Sequence, residues 1–202
     1  MTKGQLNILA LPVLALSACS APNDSAQDTS AAATSDEWVS LFDGSDLGHF
    51  NVVGDANWRI TNDYVEADSG NGFLVSDLDY DNFELRLEFW VDVPANSGVF
   101  IRCQNPEEIG ADSCYEVNIY DTRPNQDYRT GGIVNVAIPT SVINTGGRWN
   151  SYEIIADGSH LLVTLNGTLT VDVEDDAMSS GPFALQYGAG KVIFRNVQVR
   201  SR

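Results

Sequence analysis

Between Phe83 and Val93 the chain alternates without a break. Phe83, Leu85, Leu87, Phe89, Val91 and Val93 are apolar, and Glu84, Arg86, Glu88, Trp90 and Asp92 lie between them. Successive side chains of a strand point to opposite faces, so this run predicts a strand with one buried face. Pro94–Gly98 reads as a turn and Val99–Cys103 as the next strand. Leu161–Leu165 and Thr168–Val173 flank Asn166-Gly167, a pair suited to the positive φ angles of a two-residue hairpin turn. Phe183–Tyr187 and Val192–Val199 close the chain around Gly188-Ala-Gly190. Shorter candidate strands are Trp38–Phe42, Trp58–Ile60, Tyr64–Ala67, Gly72–Ser76, Gly131–Ala137 and Tyr152–Ala156. No segment sustains a 3.6-residue period. Many short strands at this spacing predict an all-β domain, a two-sheet sandwich or a barrel.

Residues 114–121, CYEVNIYD, raise a sharper question. Tyr115, Val117 and Ile119 form an apolar row, whereas Glu116, Asn118 and Tyr120 form a polar one that ends at Asp121. If Val99 and Ile101 face the core of the preceding strand, Phe100 and Arg102 face the same way as Glu116 and Asn118. Strict alternation also puts Glu88 and Trp90, and later Gln186, on polar faces. An acid, amides, a guanidinium and aromatic rings together suit a sugar, because carboxylates and amides pair with hydroxyls and a ring stacks on the apolar face of a pyranose. The competing reading is a solvated outer face, which antiparallel sheets commonly carry. The first reading expects Glu116, Arg102, Asn118 and Gln186 to converge on one open cleft, with Val117 and Ile119 behind them.

Charge narrows the partners. The chain of 202 residues has 11 Lys+Arg against 28 Asp+Glu, a formal net charge of −17, which repels phosphate backbones and argues against nucleic acid. A metal or a neutral ligand stays compatible with it. Asp77, Asp79, Asp81 and Glu88 imitate the spacing of a calcium loop. Asn82 stands where that loop needs glycine, however, and Glu88 lies inside the clearest strand. A divalent metal is therefore a candidate cofactor without an assigned ligand set. His49 and His160 sit in turn-like contexts.

The first residues read as a targeting segment rather than as fold. Lys3 precedes the short apolar run Ile8–Leu16, which ends in Leu16-Ser17-Ala18-Cys19 and resembles a bacterial lipoprotein signal with Cys19 as the lipidated residue. Residues 1–18 are then signal peptide. Residues 19–36 offer nothing more apolar than Ala or Pro after Cys19 and suit a flexible tether. Residues 37–202 suit one domain. The expected location is the cell envelope, with the domain outside the cytoplasm and a lipid anchor in the membrane. In an oxidising compartment the remaining Cys103 and Cys114 are expected to pair, although strict alternation places them on different faces, so at least one must lie beyond its strand.

The ordered segments SLFDGSDLGHF (40–50), NSGVFIR (96–102), YEVNIYD (115–121), GRWNSYEI (147–154), LNG (165–167), GPFALQYG (181–188) and VIFRNVQV (192–199) together resemble the 3-keto-disaccharide hydrolase domain. The resemblance implies a two-sheet antiparallel jelly roll of the concanavalin A-like kind. It also implies cleavage of glycosides already oxidised to a ketone at carbon 3. In that chemistry a carboxylate takes the acidified hydrogen from carbon 2, an enolate forms, the aglycone leaves and water adds. Glu116 is the candidate base and Arg102 the candidate enolate partner. Asn118, Asp121, Gln186, Glu88 and Trp90 are candidate substrate contacts. Tyr187 departs from the family, in which a His often follows the Leu-Gln pair. Two alternatives stay open. One is a non-catalytic carbohydrate-binding lipoprotein. The other is a laminarinase-type β-glucanase, since Glu116-Val-Asn-Ile-Tyr-Asp121 resembles the Glu-x-Asp-x-x-Glu strand of those enzymes.

Overall fold

The alternating run at Phe83 becomes the spine of the larger of two sheets. A computed structural model describes residues 1, 2 and 37–202, so the signal segment, Cys19 and the tether lie outside the described residues. The strands are β1 (Val39–Phe42), β2 (Phe50–Gly54), β3 (Arg59–Thr61), β4 (Tyr64–Ala67), β5 (Gly72–Ser76), β6 (Phe83–Val91), β7 (Ser97–Ile101), β8 (Tyr115–Ile119), β9 (Trp149–Asp157), β10 (His160–Leu165), β11 (Thr168–Glu174), β12 (Ala184–Tyr187) and β13 (Val192–Ser201). One sheet has the order β11-β10-β9-β6-β13-β4-β3, with β1 also on β13, and the other the order β2-β5-β12-β7-β8. All their pairings are antiparallel. The fold is an all-β, two-sheet sandwich.

The hydrophobic periods explain the layering. Phe83, Leu85, Leu87 and Phe89 of β6 are buried together with Leu74, Val99, Ile101, Val117 and Leu185 from the five-stranded sheet. Val93 falls outside this pattern. It lies beyond the end of β6, in the turn Val93-Pro94, and is 60% exposed. Asn166 (φ 51°) and Gly167 (φ 77°) make the expected left-handed hairpin turn between β10 and β11. Gly131–Ala137 contributes isolated bridges, Val117↔Ile133 and Ile133↔Ala137, rather than a full strand. The strand β2 was not expected from its sequence, since Phe50-Asn-Val-Val-Gly54 does not alternate; its position at the sheet edge leaves Asn51 and Val52 exposed.

One backbone angle departs from the expected alternation with large effect. Arg102 adopts φ 53°, a conformation uncommon outside glycine and asparagine. Its side chain therefore turns to the end of the sandwich and is 1% exposed. There Nε and Nη2 donate to the Asp81 carbonyl (2.9 and 2.5 Å), and Nη1 donates to the carbonyls of Gly158 (2.7 Å) and Met178 (3.2 Å). Cys103, one residue on, is carried to the outer face beside Phe100 and Val75, where it bonds Cys114. The disulfide thus joins two residues just beyond the ends of β7 and β8.

A buried cation with carbonyl partners from separate loops is costly to remove, because each carbonyl loses a charge-assisted donor. Replacing Arg102 by Met is expected to lower unfolding free energy by about 3 kcal/mol or more in urea titration at neutral pH. A loss within experimental error of zero would show that the clamp does not hold the sandwich end together.

Candidate functional site

The outer face of the five-stranded sheet is built by cross-strand registry. Phe100 lies opposite Glu116 and Ala184, Ala184 opposite Val75, and Val75 opposite Asn51, which makes one row across the sheet. The neighbouring row runs Asn118, Gly98, Gln186, Phe73 and Val53, with Gly98 and Gln186 aligned by continuation of the β7–β12 register. Residues directly opposite each other in antiparallel strands share a face, so Glu116, Asn118 and Gln186 belong to one surface. Val117 and Ile119 are fully buried on the other side of β8.

Gly98 gives this surface its shape. A Cβ at that position would lie 3.3 Å from Phe100 Cε2 and 3.4 Å from Glu116 Cγ, so both side chains lean over a residue that has none. The amides of Asn118 and Gln186 flank the same gap. Asn118 is fully buried, and its Nδ2 donates to the Tyr128 carbonyl while its Oδ1 has no hydrogen-bond partner. The Gln186 Oε1 is likewise buried and unpartnered. Buried acceptors without donors are uncommon in native proteins and call for an explanation, of which a ligand is one.

Glu116 is 8% exposed, and among the described residues its carboxylate accepts no hydrogen bond. Burial pushes its pKa up from 4.5 to about 7, and the positive charge of Arg123 pulls it partly back. Arg123 sits in the turn after β8, where its backbone N–H donates to the Tyr120 carbonyl (3.4 Å). Its guanidinium is engaged in neither a hydrogen bond nor an ion pair among the described residues. No strand period could point to Arg123. The only signal in the sequence is a basic residue close behind the polar strand of a very acidic chain.

Four expected site residues lie elsewhere. Arg102 turns to the sandwich end, for the reason given above, and does not join Glu116. Glu88 and Trp90 are in β6 of the other sheet, on the opposite outer face of the sandwich; alternation assigned them a polar face but carries no information about which sheet owns it. Glu88 accepts from Arg195 Nε (2.5 Å) and Asn196 Nδ2 (3.1 Å), while Trp90 lies across from Trp149. Asp121 is spent on the fold. It accepts from Thr130 Oγ1 (2.6 Å), the Thr145 N–H (2.6 Å) and the Gly146 N–H (3.0 Å), with Arg129 3.7 Å away. Among the described residues, no three His, Cys, Asp or Glu side chains are grouped as metal ligands.

The fold has close structural relatives. A proposed glycosyl hydrolase from Parabacteroides distasonis ATCC 8503 is 18% identical with a TM-score of 0.73, covering 82% of this chain and 94% of its own. A second from the same organism is 25% identical with a TM-score of 0.71, covering 82% of this chain and all of its own (100%). The carbohydrate-binding module CBM66 from Bacillus subtilis is 18% identical with a TM-score of 0.61, covering 76% of this chain and 96% of its own. No curated protein is similar in sequence to this chain. Residues 37–200, essentially every strand just described, match one family profile, and the chain belongs to that family, the 3-keto-alpha-glucoside-1,2-lyase-like domains.

Proposed function

We propose that this domain cleaves 3-keto-glycosides by elimination, with Glu116 as the base. The observation that carries the reading is a largely buried carboxylate on the sheet face without a protein partner, with a pKa raised by burial to about 7. A general base works best when its pKa lies near the working pH. The carbon-3 ketone acidifies the hydrogen on carbon 2, and the Glu116 carboxylate takes that proton. Electrons move into the C2–C3 bond and the ketone oxygen becomes an enolate oxygen. Arg123, the uncommitted cation nearest in effect to Glu116, is the group we assign to that oxygen, a role the sequence suggested for Arg102. The enolate then re-forms the ketone, the C1–C2 double bond forms and the C1–oxygen bond breaks. The departing oxygen takes up a proton, for which protonated Glu116 is a source. Addition of water across C1 and C2 completes net hydrolysis. Asn118 Oδ1 and Gln186 Oε1 accept from ring hydroxyls, and Phe73 offers an apolar surface beside them.

Binding without cleavage is the second reading, favoured by the likeness to CBM66. The β-glucanase reading loses its support at Asp121, since a retaining glucanase needs a second carboxylate about 5–5.5 Å from the first and this one is committed to Thr130, Thr145 and Gly146. For location, we propose export and lipid anchoring through Cys19. Cys19→Ser is expected to move the protein from the membrane fraction to the soluble one, and unchanged partition would overturn that proposal.

Two measurements address Glu116. Glu116→Gln is expected to lower turnover of a 3-keto-glucoside by at least about a hundredfold while leaving affinity much less affected. Near wild-type turnover would overturn the base assignment, and binding without turnover in the wild type would select the binding module. Because the base must be ionised, kcat/KM is expected to rise with pH and level off above about 7, the value to which burial lifts Glu116.

Stability should run the other way. A folded pKa of about 7 against 4.5 in the unfolded chain means that Glu116 favours the fold below about 4.5 and loses that contribution as pH climbs to about 7. Glu116→Gln, which cannot ionise, is therefore expected to match the wild type in denaturant stability near pH 4.5. At pH 8.5 it should exceed the wild type by up to about 3 kcal/mol. Equal stabilities at both pH values would show that the carboxylate is not desolvated.

A further inference from the structure

The face that carries Glu116 extends across four more strands to the sheet edge, and at that edge lies a depression of about 330 Å³. Val53, Val75 and Pro182 provide its apolar surface, and Asp77, Asp79 and Glu107 ring it. The row Gly98, Gln186, Phe73, Val53 leads from the candidate base to this depression, and its last three side chains are only partly buried. Three strand spacings separate β7 from β2, about 14 Å at the usual 4.8 Å per strand. That is the reach of a glycoside whose sugar ring lies at Gly98 and whose aglycone points toward the edge. The volume stands at the lower end of small-molecule sites, enough for one ring-sized group.

The wall facing Val75 is not a loose loop. Residues 104–113 are closed by the Cys103–Cys114 disulfide, and Gln104 Nε2 donates to the carbonyls of Arg102 (2.9 Å) and Ser180 (2.7 Å). Ile109 of the same loop packs against the cluster formed by Val75, Phe100, Ala184 and the two cysteines. Glu107 is thereby presented at the rim on a fixed support. The side chains of Asp79 and Glu107 have no hydrogen-bond or ion-pair partner among the described residues, and Asp77 faces only His49, at 3.7 Å. No Lys or Arg lines the depression. Three carboxylates around one ring-sized space repel an anion and tolerate a neutral or cationic group.

We infer that the depression between β2, β5 and the disulfide-closed loop is the aglycone subsite of the Glu116 cleft, and that it selects neutral or cationic aglycones against anionic ones. The inference rests on the elimination reading for the assignment of the sugar ring to Gly98. It is specific to the neighbouring subsite, so the two can fail separately.

The test uses aryl 3-keto-glucosides whose phenols have matched acidity and whose distal substituent is uncharged, an ammonium or a carboxylate. The soluble domain is assayed for kcat/KM and, in the Glu116→Gln background, for Kd by titration calorimetry. The expected result is at least about a fivefold disadvantage of the carboxylate compound relative to the neutral one in both measurements, shrinking at high salt. Asp79→Asn combined with Glu107→Gln, neither of which touches the reacting centre, is expected to remove most of that disadvantage. The readout is the ratio of the carboxylate to the neutral compound within each protein, which the double variant should bring toward one. Equal handling of all three compounds by the wild type overturns the subsite, as does a disadvantage that the double variant leaves intact. Absence of turnover for every compound overturns the elimination reading instead, and the order of Kd values then decides the subsite alone.

Discussion

The candidate site depends on the burial of one guanidinium. Arg102 sits where β7 leaves the five-stranded sheet, and it satisfies carbonyls from three loops at the sandwich end. A planar fork of donors that stays charged suits this task, whereas an ammonium offers no such geometry. Desolvation lowers the Arg102 pKa, yet the carbonyl array leaves the group no advantage in losing its proton. The same left-handed angle that turns Arg102 inward turns Cys103 outward. The disulfide then fixes a loop over Phe100 and Val75, and that loop forms a wall of the surface on which Glu116 lies.

The other end of β8 is held by a different device. Tyr152, fully buried in β9 of the opposite sheet, donates through its hydroxyl to the Asn118 carbonyl (2.7 Å) and accepts from the Gly131 N–H (2.9 Å). Burial pushes this phenol far above its usual range, so it remains a donor at any working pH. Asp121 gathers Thr130, Thr145 and Gly146 just beyond the strand. Glu116 therefore sits between two rigid anchors, and its unfavourable desolvation is sustained by packing elsewhere.

How far the sequence could be read follows from what a period of two encodes. It assigns each side chain to one face of its own strand, and the outward positions of Glu116, Asn118, Phe100 and Gln186 followed from that. It does not encode which sheet a strand joins. Glu88 and Trp90, polar-faced by the same rule, lie on the far side of the molecule. Nor does it register a left-handed residue that is not glycine, so Arg102 and Cys103 were each assigned the wrong face. Asp121 was misplaced because an acid at a strand end serves equally well as a ligand or as a loop acceptor. The edge strand β2 escaped notice because its exposed positions have no need to alternate.

The charge pattern sets the Glu116 face apart from the rest of the surface. In a chain with 11 cationic residues against 28 acidic ones, cations are the scarce partner. Among the described residues, Arg59, Arg86, Arg102, Arg129, Arg148, Lys191, Arg195, Arg200 and Arg202 each engage a hydrogen-bonding or ionic partner through the side chain. Arg123 does not. It stands within electrostatic reach of Glu116, whose carboxylate is also unpaired, and Glu116 leans over the glycine that separates two amides with unmet acceptors. A solvated face would let water answer each of these groups. Here the Asn118 and Gln186 amide oxygens are sealed from solvent and lack a donor, which calls for an explanation. In the proposed elimination, ring hydroxyls would meet the amide oxygens, an acidic C–H would meet the carboxylate, and a developing enolate would meet the guanidinium.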